Sequence, residues 1–298
     1  MREAVEGRIQ RKRNRVGYTF LTPTLVMIFC VLFVPMVLSL ILSFTDWNFI
    51  HGESINFVGL KNYADIFTNP YDIKSFKITL LFVALSLIFE IVLGLLISLI
   101  IYGTKIRTQV MRTLIIFPMM ISEVVAALCF RYILNSDFGV VNYLLSLLGI
   151  VIPSWTSANN ALFTIILIEV WQQTPFSMLI ILAGLQGLSL EMLEAVEVDG
   201  ASYLQKLYYV IIPSIKPQIM VALIFRTMFC LRVFTQPWVM TGGGPNDNTM
   251  VIGINIYKQA FRFFEMGKAN ALSWLLILLT LAIVCVYVAL LDKSSFAD

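Results

Sequence analysis

The chain carries little charge. Asp, Glu, Lys and Arg together make up 13% of its 298 residues, whereas apolar side chains make up 59%. A soluble domain has about a quarter charged residues and under half apolar, so lipid is the solvent for most of this chain. Histidine occurs once, as His51, which argues against a histidine-built metal site or catalytic triad within the chain. The cysteines Cys30, Cys129, Cys230 and Cys285 lie far apart in apolar stretches and show no metal-ligand or disulfide-framework spacing. They read as packing residues. No Gly-x-x-x-x-Gly-Lys-Ser/Thr loop occurs, so nothing here can cradle the phosphates of ATP, and no cofactor is expected in the chain. Gly242-Gly243-Gly244-Pro245 lacks the Lys-Ser/Thr ending and reads as a turn. Strong internal repeats and low-complexity segments are also missing.

What the chain has is long apolar runs. A helix needs about 20 apolar residues to cross the hydrocarbon, and its backbone groups must be satisfied internally. Six stretches qualify, at 18–44, 78–102, 113–134, 161–184, 218–240 and 269–291. The first is too long for a cleavable targeting segment and reads as a retained span. The expected fold is all-α and polytopic, with one transmembrane domain over 18–292 between a basic tail at 1–17 and a short tail at 293–298. Basic residues crowd one set of connections: Arg2, Arg8, Arg11, Lys12, Arg13 and Arg15, then Lys105, Arg107 and Arg112, then Lys206 and Lys216, then Lys293. The alternate connections hold Lys61, Lys74, Lys258 and Arg262. That excess places both termini in the cytoplasm, and it explains the basic tail through membrane orientation, with no nucleic-acid partner. The connections at 45–77 and 135–160 read as short helices on the outer face, and 249–264 as an interfacial or partly inserted helix.

The connection at 189–217 is the most informative segment. Leu190–Val198 suits a short helix on which Glu191, Glu194 and Glu197 form a slanting acidic stripe. Asp199-Gly200 signals a turn, since glycine takes φ > 0 without steric cost. Ser202 and Gln205 have the spacing of a capping box for a second helix, which Pro213 and Pro217 then stop or kink. Small residues, Ala195, Gly200 and Ala201, leave room for close approach by another protein. An amphipathic helix resting on lipid is disfavoured, because the inner leaflet is anionic and the stripe is acidic. A docking surface is the better reading.

These residues resemble a known family. Glu194-Ala195-x-x-x-Asp199-Gly200-Ala201, with Pro213 and Pro217 downstream, is similar to the EAA loop of ABC-importer permeases, with Val196 where the family has a second alanine. Phe57-Val58-Gly59-Leu60-Lys61-Asn62-Tyr63, Trp171-Gln172-x-Thr174-Pro175-Phe176 and Thr241-Gly242-Gly243-Gly244-Pro245 resemble the sugar-importing branch, the maltose and glycerol-phosphate type. The resemblance runs from Tyr18 over nearly the whole chain. It implies the type I importer permease fold of six transmembrane helices with a cytoplasmic coupling helix-turn-helix. It also implies a second permease subunit in a heterodimer, two cytoplasmic ATPase subunits and an extracytoplasmic sugar-binding protein. Glu191, Glu194, Ala195, Glu197, Asp199, Gly200, Ala201 and Ser202 would then face the ATPase.

Ionisable residues inside spans, Glu90, Glu123, Arg131, Glu169, Arg226 and Arg232, must face protein or water. Arg226 and Arg232 are out of helical alignment and should not share one partner. Sugars are bound by aromatic faces with amide and charged partners. Glu169, Trp171, Gln172, Gln173, Arg226, Arg232 and Gln236 fit that chemistry, with structural ion pairing an open alternative for the charged ones. Rival functions are an ion-coupled secondary carrier, an importer permease for a non-sugar solute and a membrane enzyme. No matching pair of broken-helix halves supports the carrier, and the scattered carboxylates supply no catalytic constellation.

Overall fold

The computed structural model describes residues 18, 21–50, 55–103, 108–150 and 154–295. The basic tail Arg2 to Arg15, His51, Lys105 and Arg107 lie outside the described residues. Helices carry the fold: α1 Leu21–Leu42, α2 Lys61–Thr68, α3 Pro70–Gly103, α4 Thr108–Ile116, α5 Glu123–Ile133, α6 Val140–Leu147, α7 Ala161–Gln186, α8 Leu190–Val198, α9 Tyr203–Ser214, α10 Lys216–Cys230, α11 Thr235–Thr241, α12 Ile252–Phe261 and α13 Met266–Ser295. No strand forms among the described residues beyond isolated bridges.

Among the described residues, four helices are long and apolar enough to cross a membrane by themselves: α1, α3, α7 and α13. The stretch expected as a continuous third span is a bent pair instead, and a second bent pair falls at the kink expected from Pro213 and Pro217. Val110–Met120 and Glu123–Ile133 meet at 92°, and Tyr203–Ser214 and Lys216–Cys230 meet at 63°. Pro118 closes the first half in a tight 3₁₀ turn, after which Ile121 is extended at φ −79°, ψ 136°. Pro213 and Pro217 flank the second bend. The span expected to run on to Met240 ends at Cys230. The chain restarts as α11.

The chain divides into two compact units, Met1–Ile66 with Gln259–Trp274 and Phe67–Lys258 with Leu275–Asp298. In the first, Asn62 donates from Nδ2 to the carbonyls of Ser43 and Thr45, and Ser39 donates to Asn270. In the second, α3 lies along α7. Its buried face carries Ser75, Thr79, Ser86, Glu90, Gly94 and Ser98, a run of mostly small residues at helical spacing. Membrane helices gain nothing from hiding apolar groups from lipid, so they associate where small residues admit close packing. Gly94 shows the closeness: a Cβ there would stand 3.0 Å from the backbone nitrogen of Met178. Phe82, Leu87, Ile165, Ile168, Cys230, Leu231 and Leu276 form the main apolar core.

Candidate functional site

Close packing of α3 on α7 puts Glu90 near Glu169, and α10 brings in Arg226. The guanidinium grips Glu90 in bidentate fashion, Nε to Oε2 at 2.6 Å and Nη2 to Oε1 at 2.9 Å. Nη2 also donates to Glu169 Oε1 at 2.5 Å and to Cys230 Sγ at 3.3 Å. All three charged side chains are buried, Arg226 to 2% exposure and Glu90 to 0%. A charge taken out of water is tolerated only when paired and hydrogen-bonded. Here one arginine serves two acids and ties three helices together. Ligand atoms of Glu90, Glu169 and Cys230 lie within 4.8 Å of one another, a spacing a metal ion could use. The guanidinium, hydrogen-bonded to both carboxylates, already supplies the positive charge, so the group is an ion-pair cluster.

One edge of this cluster opens into a cleft of about 460 Å³, lined by Glu123, Glu169, Gln173, Phe176, Arg226, Phe229, Arg232, Val233, Phe234 and Thr235. The structure thus brings together four residues singled out in the sequence, Glu169, Gln173, Arg226 and Arg232. Arg226 and Arg232 do keep different partners. Arg232 is exposed, donates from Nε to the carbonyl of Met228 at 3.0 Å and lies 5.9 Å from the ring centre of Phe229. The other three residues are placed elsewhere. Trp171 packs edge-on against Phe130, with ring centres 5.0 Å apart. Gln172 and Gln236 are buried and bonded to each other, Gln236 Nε2 to Gln172 Oε1 at 2.9 Å.

Sequence reasoning missed Phe176 and Phe229, for which a signal existed. Steps of four and three from Glu169 reach Gln173 and Phe176 on one helix face, and a step of three from Arg226 reaches Phe229. Glu123, named from the sequence as a charge that must face protein or water, lines the cleft as well. The cleft therefore combines two carboxylates, two guanidiniums, an amide and aromatic rings, which suits a polyhydroxylated solute: hydrogen bonds at its edge and ring stacking on its face.

The segment that follows α7 is built as its residues imply. Ser189 caps α8 by accepting from Met192 N. Gly200, at φ +77°, closes that helix: its N–H donates to the carbonyl of Glu197, and Ala201 N–H to that of Val196. This is the pattern of a glycine-terminated helix end. Ser202 and Gln205 form a complete capping box at the start of α9. Lys206 pairs with Glu197 across the turn. Leu193 anchors the hairpin by packing with Ile181 and Leu185 of α7 and with Ile211 and Ile215. Glu191, Glu194, Ala195, Glu197, Val198, Asp199, Gly200 and Ser202 are exposed, and Ala201 is half-buried.

Residues 90–294 match the family described as binding-protein-dependent transport system inner membrane component. The chain belongs to that family. Family membership makes it an inner-membrane transport component. Its relatives include the trehalose/maltose transport system permease protein MalF of Thermococcus litoralis, 31% identical over 286 residues, covering 94% of this chain and 95% of that one. The trehalose transport system permease protein SugA of Mycobacterium tuberculosis is 33% identical over 282 residues, covering 95% and 90%. In a crystal structure, a chain of a bacterial alginate ABC transporter, in complex with an alginate pentasaccharide-bound periplasmic protein, superposes with a TM-score of 0.80 over 93% of both chains, at 24% identity. At that identity the superposition bears on the fold alone, which it shares with ABC importer permeases.

Proposed function

We propose that this permease lines half of the path of an ATP-driven sugar importer and is moved by an ATPase that docks on α8 and the start of α9. The carrying observation is mechanical. The hairpin exposes an acidic, small-residue surface on one side and is keyed through Leu193 into the end of α7 on the other. A push on the hairpin therefore acts on the helix that carries Glu169 and Gln173. ATP must come from a partner, because no phosphate-binding loop is present in the sequence.

In this reading both termini and the hairpin face the cytoplasm, consistent with the basic residues that crowd those connections. A second, different permease completes the path. Two ATPase subunits sit below, and a binding protein delivers sugar to the outer connections. The relatives named for trehalose and maltose support sugar as the solute class. The cleft agrees with that class through its acids, amide and phenylalanine rings. Alternating access then needs near-rigid movement of the spans as the ATPases close.

The test is docking. Gly200→Asp puts a side chain on a residue in the left-handed region and adds a charge to the docking face. We expect this variant to reach the membrane at normal abundance but to lose co-purification of the ATPase. Normal pull-down by Gly200→Asp and by Glu194→Lys would remove the hairpin from this role.

A further inference from the structure

The bend between α4 and α5 leaves backbone polar groups without helical partners at membrane depth. Within a bilayer each such group needs a protein partner. Ile121 N–H donates to the carbonyl of Pro118 at 3.2 Å, and the carbonyl of Ser122 accepts from Ala126 N at 2.9 Å. The carbonyl of Ile121 is left over, and it is taken by a side chain from another helix: Gln172 Nε2 donates to it at 2.7 Å. Gln172 is in turn held by Gln236 of α11, and both glutamines are only 1% exposed. One hydrogen-bonded chain thus runs from α11 through α7 to the break. A second tie joins the same elements, Arg131 Nη1 of α5 to the carbonyl of Val239 at 3.1 Å.

The break has a consequence for the cleft. It makes Glu123 the first residue of α5 and sets it on the cleft wall with Glu169, Gln173, Arg226 and Arg232. In an unbroken helix Glu123 would continue the direction of α4, and the 92° change of axis would be lost. Adjacent glutamines on α7 therefore have separate tasks. Gln173 faces the cleft, while Gln172 faces the break.

We infer that Gln172 and Gln236 are positioning residues: a two-amide latch that holds the α4–α5 break and thereby fixes Glu123 at the cleft. The inference rests on the cleft being the solute path for its functional meaning, but the latch itself is a property of the chain. Movement of α11 or α7 during transport must either carry the break along or part this pair of hydrogen bonds.

The experiment uses the assembled importer in proteoliposomes, with Cys30, Cys129, Cys230 and Cys285 replaced by alanine. A nitroxide is attached at Ser122→Cys, or at Ser202→Cys in the hairpin as a control. Gln172→Met and Gln236→Met keep the side-chain length and remove the amide. We expect the mobile fraction of the nitroxide spectrum at 122 to rise about threefold to tenfold in Gln172→Met, which removes both hydrogen bonds of the latch, and to rise less in Gln236→Met, which removes one. The spectrum at 202 should stay unchanged. The double variant should be no more mobile than Gln172→Met alone, since that change already removes both bonds of the chain. An unchanged spectrum at 122 overturns the latch. So does equal loosening at 122 and 202, which marks general destabilisation, or additive effects in the double variant. Where Gln172→Met fails to accumulate in the membrane, Gln236→Met carries the same test one bond further from the break. The readout needs neither solute nor ATP, so it succeeds or fails separately from the transport reading.

Discussion

Arg226 and Arg232 stand close in sequence, yet burial gives them opposite tasks. Arg226 is enclosed and pairs with two acids, so removing it strands Glu90 and Glu169 without a counter-charge. Breaking a buried pair from one side costs about 3–5 kcal/mol. Arg226→Met should therefore deplete the protein from the membrane fraction, and Arg226→Met combined with Glu90→Gln should recover part of that abundance. Arg232 is exposed at the cleft and contacts a backbone carbonyl and a phenylalanine face. Arg232→Ala should leave abundance near normal and lower uptake of the sugar that co-purifies with the binding protein. Immunoblotting of membranes beside radiolabelled uptake separates the two. Equal losses of abundance and uptake in Arg232→Ala would make it a structural residue too.

Elements here are shaped by small residues and by prolines. The face of α3 against α7 admits close approach because Ser86, Gly94 and Ser98 carry little bulk. Gly94→Val would drive a side chain against the backbone of Met178 and the Cβ of Ser177, both 3.0 Å from the added Cβ. Overpacking of this kind costs about 1–3 kcal/mol. The detergent-solubilised protein should unfold at a lower temperature, whereas Gly103→Val, with open space around it, should change little. A drop of the same size in both would show that the α3–α7 approach is not what Gly94 protects. At this scale the local signals of the hairpin were legible, since caps, glycine and prolines act within a few residues. The break in the third stretch and the early end of the fifth at Cys230 were not. Hydropathy averages over a window, and apolar residues on both sides of a bend look like one run.

For the whole molecule the testable statement is sidedness. If both termini and the α8–α9 hairpin lie in the cytoplasm, a cysteine at Ser202 should be labelled by a membrane-impermeant maleimide in inside-out vesicles and not in intact cells. Labelling of Ser202→Cys from outside intact cells would place the lever away from any ATPase and end the transport reading. That outcome would leave the helical fold and the buried cluster untouched.

The sequence by itself determined that the chain is membrane-embedded and helical, that it carries no Gly-x-x-x-x-Gly-Lys-Ser/Thr loop, and that one structured segment lies between its fourth and fifth apolar stretches. Those properties follow from composition, period and short-range turn chemistry, which need no knowledge of what lies across the bundle. Tertiary structure decided which charges meet. Glu90, Glu169 and Arg226 are separated by up to 136 residues, and nothing local to any of them says that one arginine will serve two acids. It also set Gln172 against the bent helix, because the carbonyl that Gln172 satisfies is left without a helical partner only once the helix has broken.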